Sequence, residues 1–238
     1  MPLAPKTGPH DAPGFLYFIF RSRRKSIALS VTKDALVEVR APLFASGAAI
    51  HAFVLQKQAW VRSALHRRQE VLRAQADYVL TNGSLLRLRG GLFPLVLEAG
   101  STARFENGRF YAPQGLPEAE LRTALAAVYR RLALDYIPAR TEALASAMRV
   151  QPISVQIGSA KSRWGSCNAA HALRFSYRLM LLDDALVDYV IVHELAHVRE
   201  MNHSPAFWRI VNNTLVNTPA LRLGLREAAR TLEQEGWL

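Results

Sequence analysis

Apolar and polar positions first fall into a readable order after a short leading stretch. Residues 1–14 (MPLAPKTGPHDAPG) are rich in proline and small polar residues and predict a disordered tail. Residues 15–20 begin β structure, and residues 27–31 and 36–40 alternate about Thr32-Lys33-Asp34, the pattern of a hairpin. Pro42 ends that strand. Ser46 can cap a helix running to about residue 69, with Ala49, Ile50, Phe53, Val54, Trp60, Val61 and Leu65 as its apolar stripe. Residues 85–88 and 93–97 flank Gly90-Gly91 as a second hairpin. Residues 102–105 and 109–111 flank Asn107-Gly108 as a third, and Asn-Gly is the strongest short hairpin signal. Pro117 opens a long helix to about residue 149, with a break expected at Pro138. A strand at 153–157, an irregular loop at 160–168 and a strand at 173–182 follow, and Asp183 or Asp184 can cap the next helix.

That helix is apolar nearly all round. Ala185, Leu186, Val187, Val190, Ile191, Val192, Leu195, Ala196 and Val198 mark it as buried, yet it carries His193, Glu194 and His197. Burying a carboxylate and two imidazoles without partners is costly. Positions i and i+4 share one helix face, so His193 and His197 can aim at one spot, and a metal there resolves the cost. The string is H-E-x-x-H, the metalloprotease signature, and Glu194 sits where its carboxylate can take a proton from water at the metal. His203 follows six residues after His197. On a continuous helix it would lie about 240° around from His197, so the chain must turn for a third ligand to reach back. Asn202 tolerates a left-handed conformation, and Ser204-Pro205 reads as N-cap and first residue of a new helix. Three histidines suit Zn²⁺, which keeps a fourth position open for catalysis, and one zinc ion per chain is expected.

Composition adds a bound and one asymmetry. The 238 residues suffice for one large domain or two lobes, no stretch approaches a membrane span, and Cys167 is the only cysteine, which excludes an internal disulfide. No membrane partner is expected, and a cytoplasmic location is. The net charge of +11 sits mostly early: residues 1–70 hold 11 Lys/Arg against 4 Asp/Glu, and residues 151–238 hold 9 against 8. Arg21, Arg23, Arg24 and Lys25 are the best contact for nonspecific nucleic acid or another polyanion through the amino-terminal part, although solvated arginines on helix faces explain the charge as well.

The strings Arg163-Trp-Gly-Ser-Cys167, Tyr177-Arg178-Leu179, Asp188 through His197, and Asn202-His-Ser-Pro-Ala-Phe-Trp208 resemble the YgjP-like family of zinc metallopeptidases. Residues 23–27, 37–42 and 53–60 are also similar to that family's amino-terminal part, so the likeness spans about residues 20–215. A more distant similarity is to SprT-like and WLM proteases. The resemblance implies an α+β fold, with a zincin-like catalytic part carrying the H-E-x-x-H helix and an amino-terminal part rich in β-hairpins and helices. Divisions are expected at 1–14, 15–115 and 116–238, the last two being either separate parts or one continuous domain. It implies zinc on His193, His197 and His203, Glu194 as catalytic acid and base, and a protein or peptide substrate.

Other residues carry weaker expectations. Arg163 and Arg178 either bind a substrate carboxylate or oxyanion, or act structurally. Trp164 is a loop anchor or a substrate contact. Cys167 reads as a small buried hydrophobe rather than a nucleophile, having only His171 nearby in sequence. Strands 153–157 and 173–182 are placed to bind peptide by β-addition. The leading expectation is a zinc endopeptidase. The alternatives are a nucleic-acid-associated protein with a structural zinc, or a protease recruited by DNA or RNA.

Overall fold

The computed structural model describes residues 9–100 and 102–238, and the chain divides into two compact units, Met1–Asp77 and Tyr78–Leu238. Each has its own apolar core: one drawn from residues 12–61, the other from residues 80–237. The fold class is α+β.

The first unit is a mixed sheet with two helices. Strands β1 (His10–Ala12), β2 (Phe15–Ser22), β3 (Ala28–Val31) and β4 (Val37–Pro42) lie in the order β1-β2-β4-β3, with β2 and β4 parallel and the other pairs antiparallel. Period-two alternation turns Phe15, Tyr17 and Ile19 of β2 and Val37, Val39 and Ala41 of β4 inward. Residues 10–12, expected within the disordered tail, instead pair with β2; residues 1–8 lie outside those described.

The expected helix from Ser46 to about residue 69 is two helices. Ser46 caps α1 (Gly47–Gln56) by accepting from the Ala49 N–H, Lys57 leaves helical geometry, and α2 (Gln58–Asp77) continues further than expected. Ile50 and Val54, one turn apart, bury α1 against the sheet, whereas α2 buries only Val61. Arg21 is not a free polyanion contact. Its guanidinium donates to the carbonyls of Pro42, Leu43 and Ala45 at 3.2, 3.1 and 2.6 Å, tying the end of β2 to the turn before α1.

In the second unit, β5 (Leu85–Leu88), β6 (Gly91–Glu98), β7 (Arg104–Glu106) and β8 (Arg109–Pro113) form a sheet in the order β5-β6-β8-β7. Both expected hairpins are present. The Asn107-Gly108 turn has φ of 48° and 72°, the left-handed pair that Asn-Gly supplies most readily. Helix α3 (Glu118–Met148) passes through Pro138 without the expected break. The carbonyl that Pro138 leaves without an amide partner belongs to Leu134, half exposed on the solvent side.

Strands β9 (Ser154–Gly158), β10 (Gly165–Cys167) and β11 (Ala172–Ser176) make a three-stranded sheet with β11 in the middle. The expected strand 173–182 therefore stops at Ser176 and is not an edge. Ser176 Oγ accepts from the Arg178 N–H, and Tyr177–Leu181 forms a 3-10 turn with all five side chains buried. The loop expected at 160–168 contains β10, an edge strand, as β9 is on the other side. Helices α4 (Asp184–Ala196), α5 (Pro205–Thr214) and α6 (Thr218–Gln234) complete the unit, α6 lying beyond any element read from the sequence.

The contacts divide the chain at 77/78 rather than at the expected 115/116. Leu86, Leu88, Leu95 and Phe110, from the strands before 116, share a core with Leu125, Tyr129, Leu179 and Val187. Strands without their own second layer must bury that face against the helices that follow.

Candidate metal centre

Helix α4 is fixed before its chemistry begins. Asp183 Oδ1 accepts from the Leu186 N–H at 2.9 Å, satisfying a first-turn amide. Arg89 grips Asp184 with two bonds of 2.7 and 2.8 Å, and Arg140 grips Asp188 with 2.7 and 2.6 Å. Paired forks of this kind set helix rotation as well as position. Leu186, Val187, Val190, Ile191, Val192, Leu195 and Ala196 are buried, so the helix is core on nearly every side.

Its last turn carries His193, Glu194 and His197, the last being the C-cap. The chain then leaves the helix and re-enters one at α5, where Ser204 Oγ accepts from the Phe207 N–H and Pro205 occupies the first turn. The corner brings His203 back as expected. It does so without the left-handed residue expected at Asn202, which is not among the positive-φ positions.

The three imidazoles converge. Ring centroids lie 5.1 Å apart for His193–His197, 5.0 Å for His193–His203 and 4.7 Å for His197–His203. One ligand nitrogen from each lies within 4.8 Å of the others, and the Nε2 atoms of His193 and His203 are 3.0 Å apart. Phe207, fully buried, floors the group at 4.9, 4.5 and 4.7 Å from the three rings. Trp208 packs against His193 and His203, and the Arg222 guanidinium lies over its indole at 4.8 Å.

The protonation states suit a cation. Burial, then the charges of His197, His203 and Arg222, lower His193 to about 4, so its ring is neutral near pH 7. Burial also lowers His197. His197 Nδ1 donates to the Glu200 carbonyl at 3.0 Å, which leaves Nε2 as the lone-pair nitrogen; this backbone bond is the usual orienting partner of a metal-binding histidine. His193 Nδ1 is buried with no hydrogen-bond partner among the described residues, so aromatic packing orients that ring instead. Tetrahedral zinc with Zn–N distances of about 2.0–2.1 Å spaces its ligand nitrogens about 3.3 Å apart. The donor set fits such an ion.

Glu194 is 7% exposed. Burial raises its carboxyl to about 7, against the opposing pull of the Arg163 charge and of the Cys167 backbone N–H that donates to it. Edge strand β10 supplies that donor. Cys167 is half-buried, and burial followed by the Glu194 charge raises its thiol pKa, the reverse of an activated nucleophile. His171 stands in the β10–β11 turn at φ 58°.

The weaker expectations separate here. Arg163 is exposed and its charge is felt at Glu194. Trp164 is half-buried against the core and its carbonyl accepts from the Ser176 N–H, as a loop anchor would. Arg178 has the placement of a structural residue. It is 6% exposed, and its guanidinium donates to the carbonyls of Trp237 at 2.5 Å and Ser159 at 2.9 Å.

An H-E-x-x-H helix whose histidines meet a third at the following corner is the arrangement of metal-dependent peptidases. The family model described as YgjP-like, metallopeptidase domain, matches residues 25–228, and the chain belongs to that family. It is thus a metallopeptidase, a class that hydrolyses proteins or peptides with a metal that is typically zinc. Among curated proteins, none matches the chain significantly. Similar solved structures include the metallopeptidase zymogen of Pyrococcus abyssi abylysin, at 19% identity and TM-score 0.35, covering 38% of this chain and 93% of that one. Another is the metallopeptidase zymogen of Methanocaldococcus jannaschii jannalysin, at 20% identity and TM-score 0.36, covering 38% of this chain and 94% of that one.

Proposed function

We propose that the chain is a zinc endopeptidase in which His193, His197 and His203 hold one zinc ion and Glu194 is the catalytic acid and base. The observation that carries this reading is the convergence of three imidazole nitrogens within 4.8 Å beside a carboxylate buried on the same helix. Zinc bound there would act as a Lewis acid toward the scissile carbonyl and would make a water at its open position acidic enough to ionise near neutrality.

The chain's own residues do the rest. His193 and His197 present lone pairs from a helix that cannot rotate, and His203 completes the set from the corner before α5. Glu194 takes the proton of the attacking water and delivers it to the leaving amine nitrogen. Burial raises its carboxyl to about 7 in the metal-free site, and the charge of a bound cation would pull it back down, leaving a carboxylate able to accept the proton. Arg163, exposed and with its charge felt at Glu194, is a candidate substrate contact beside Trp164.

Metal analysis of wild type and His203→Ala, with casein cleavage by wild type and Glu194→Gln, tests this. About one zinc per chain in wild type, loss of zinc from His203→Ala, and a fall in turnover of about 10²–10⁴-fold in Glu194→Gln with zinc retained are expected. Protein that takes up no zinc even when zinc is supplied would overturn the reading.

A further inference from the structure

We propose that Gly165 is a positioning residue: strand β10 sets the place of the Glu194 carboxylate by offering no side chain at 165 and a backbone N–H at Cys167. The inference rests on the reading of Glu194 as the catalytic acid and base.

The geometry is direct. A Cβ built on Gly165 would lie 2.6 Å from Glu194 Cγ, 2.8 Å from Oε1 and 3.0 Å from the carboxyl carbon, and these are the three nearest atoms. Contacts that short do not occur, so one of the two groups must move. Gly165 is in a strand and is not among the positive-φ glycines, so any L-residue could adopt its backbone. Space alone demands glycine here.

Strand register explains why the meeting is so close. In an antiparallel pair, alternate residues turn their backbone groups toward the partner strand. Ser176 N–H donates to the Trp164 carbonyl at 2.8 Å and Asn168 N–H to the Ala172 carbonyl at 3.2 Å, so 164 and 168 face β11. Gly165 and Cys167 therefore turn their backbone groups to the free edge, where the Cys167 N–H meets Glu194. The helix backbone at Glu194 is held by its buried neighbours Val190, Ile191, Leu195 and Ala196, so the side chain is the part that gives way. A methyl group at 165 displaces the carboxylate, and a misplacement of about 1 Å can cost about 100-fold in turnover.

The test uses the full chain, loaded with zinc, carrying Gly165→Ala in three backgrounds: wild type, Glu194→Gln and Glu194→Ala. In wild type, Gly165→Ala is expected to retain zinc and to lower kcat about 100-fold with KM changed by less than about threefold. It is also expected to lower Tm by about 3–10 °C, the ordinary effect of overpacking. That Tm penalty should persist in Glu194→Gln, which keeps every clashing atom, and vanish in Glu194→Ala, which has no Cγ. An equal Tm penalty in all three backgrounds, or no penalty in any, overturns the proposal. If Gly165→Ala fails to fold, folding of the Glu194→Ala, Gly165→Ala double variant supports it and failure of both overturns it. A wild type that cleaves no peptide defeats the hydrolytic reading, while the Tm comparison still decides whether position 165 confines Glu194.

Discussion

Arg178 and Glu194 are both charged, both nearly sealed from water, and held by opposite means. Glu194 accepts from a single backbone N–H, that of Cys167, and burial pushes its carboxyl up to about 7. Arg178 spends its donors on the carbonyls of Ser159, Ala160 and Trp237 and stacks on Tyr177 at 4.5 Å, while burial lowers its pKa. A group starved of bonds is reactive; a group saturated with them is a strut. Arg178→Ala is therefore expected to destabilise the fold by about 2–4 kcal/mol in urea unfolding, through orphaned buried carbonyls. Arg178→Lys should restore only part, since an ammonium cannot reproduce the planar fork. Equal stability of Arg178→Ala and wild type would return the residue to a role in substrate binding. The sequence offered no way to tell these roles apart. His193, His197 and Glu194 were legible because helix periodicity alone places them, and His203 because Ser204-Pro205 announces a new helix. The contact between Glu194 and β10 was not, because it joins residues nearly thirty apart through a strand with no alternating pattern.

Helix α4 depends on side chains that bind its first two turns, and one of these pairings has a pH signature. The Arg89 guanidinium, joined by Tyr136, holds the Asp184 carboxyl below the usual carboxylate range. A group whose pKa is depressed on folding stabilises the fold above its unfolded value of about 3.9. That contribution is lost as pH falls through the lower folded value. Thermal melts of wild type and Asp184→Asn should therefore differ at pH 6 and converge toward pH 2. The gap should stay under about 1 kcal/mol because the pair is half exposed. Parallel curves over that range would mean the carboxyl is not depressed. At this scale the hairpins were readable wherever turn chemistry was explicit, as at Asn107-Gly108. The break at Lys57, the 3-10 turn at Tyr177–Leu181 and the central place of β11 were not, since each is decided by packing against distant segments rather than by local propensity.

Two cores, one drawn from residues 12–61 and the other from residues 80–237, divide the molecule close to where the charge excess of residues 1–70 ends. The family match, over residues 25–228, spans the boundary. The whole histidine cluster, its floor at Phe207 and its helix clamps belong to Tyr78–Leu238. A chain of residues 78–238 expressed alone is expected to fold cooperatively and to bind about one zinc, measured by circular dichroism and metal analysis. A fragment that remains unfolded with zinc present would show that the first unit is needed for the core of the second. The boundary was illegible in the sequence because β5–β8 look like further amino-terminal hairpins, and only their shared core with α3 and α4 assigns them otherwise. Among the described residues, no helix is long and apolar enough to cross a membrane.

The three histidines differ in access: His197 is buried, His193 is partly so, and His203 is exposed on the corner before α5. Ligand exchange at such a centre would have a direction. A competing chelator would meet the exposed corner imidazole before either helical one. The rate at which the ion comes and goes would then be set at the exposed corner, and the strength with which it is held by the packed helix.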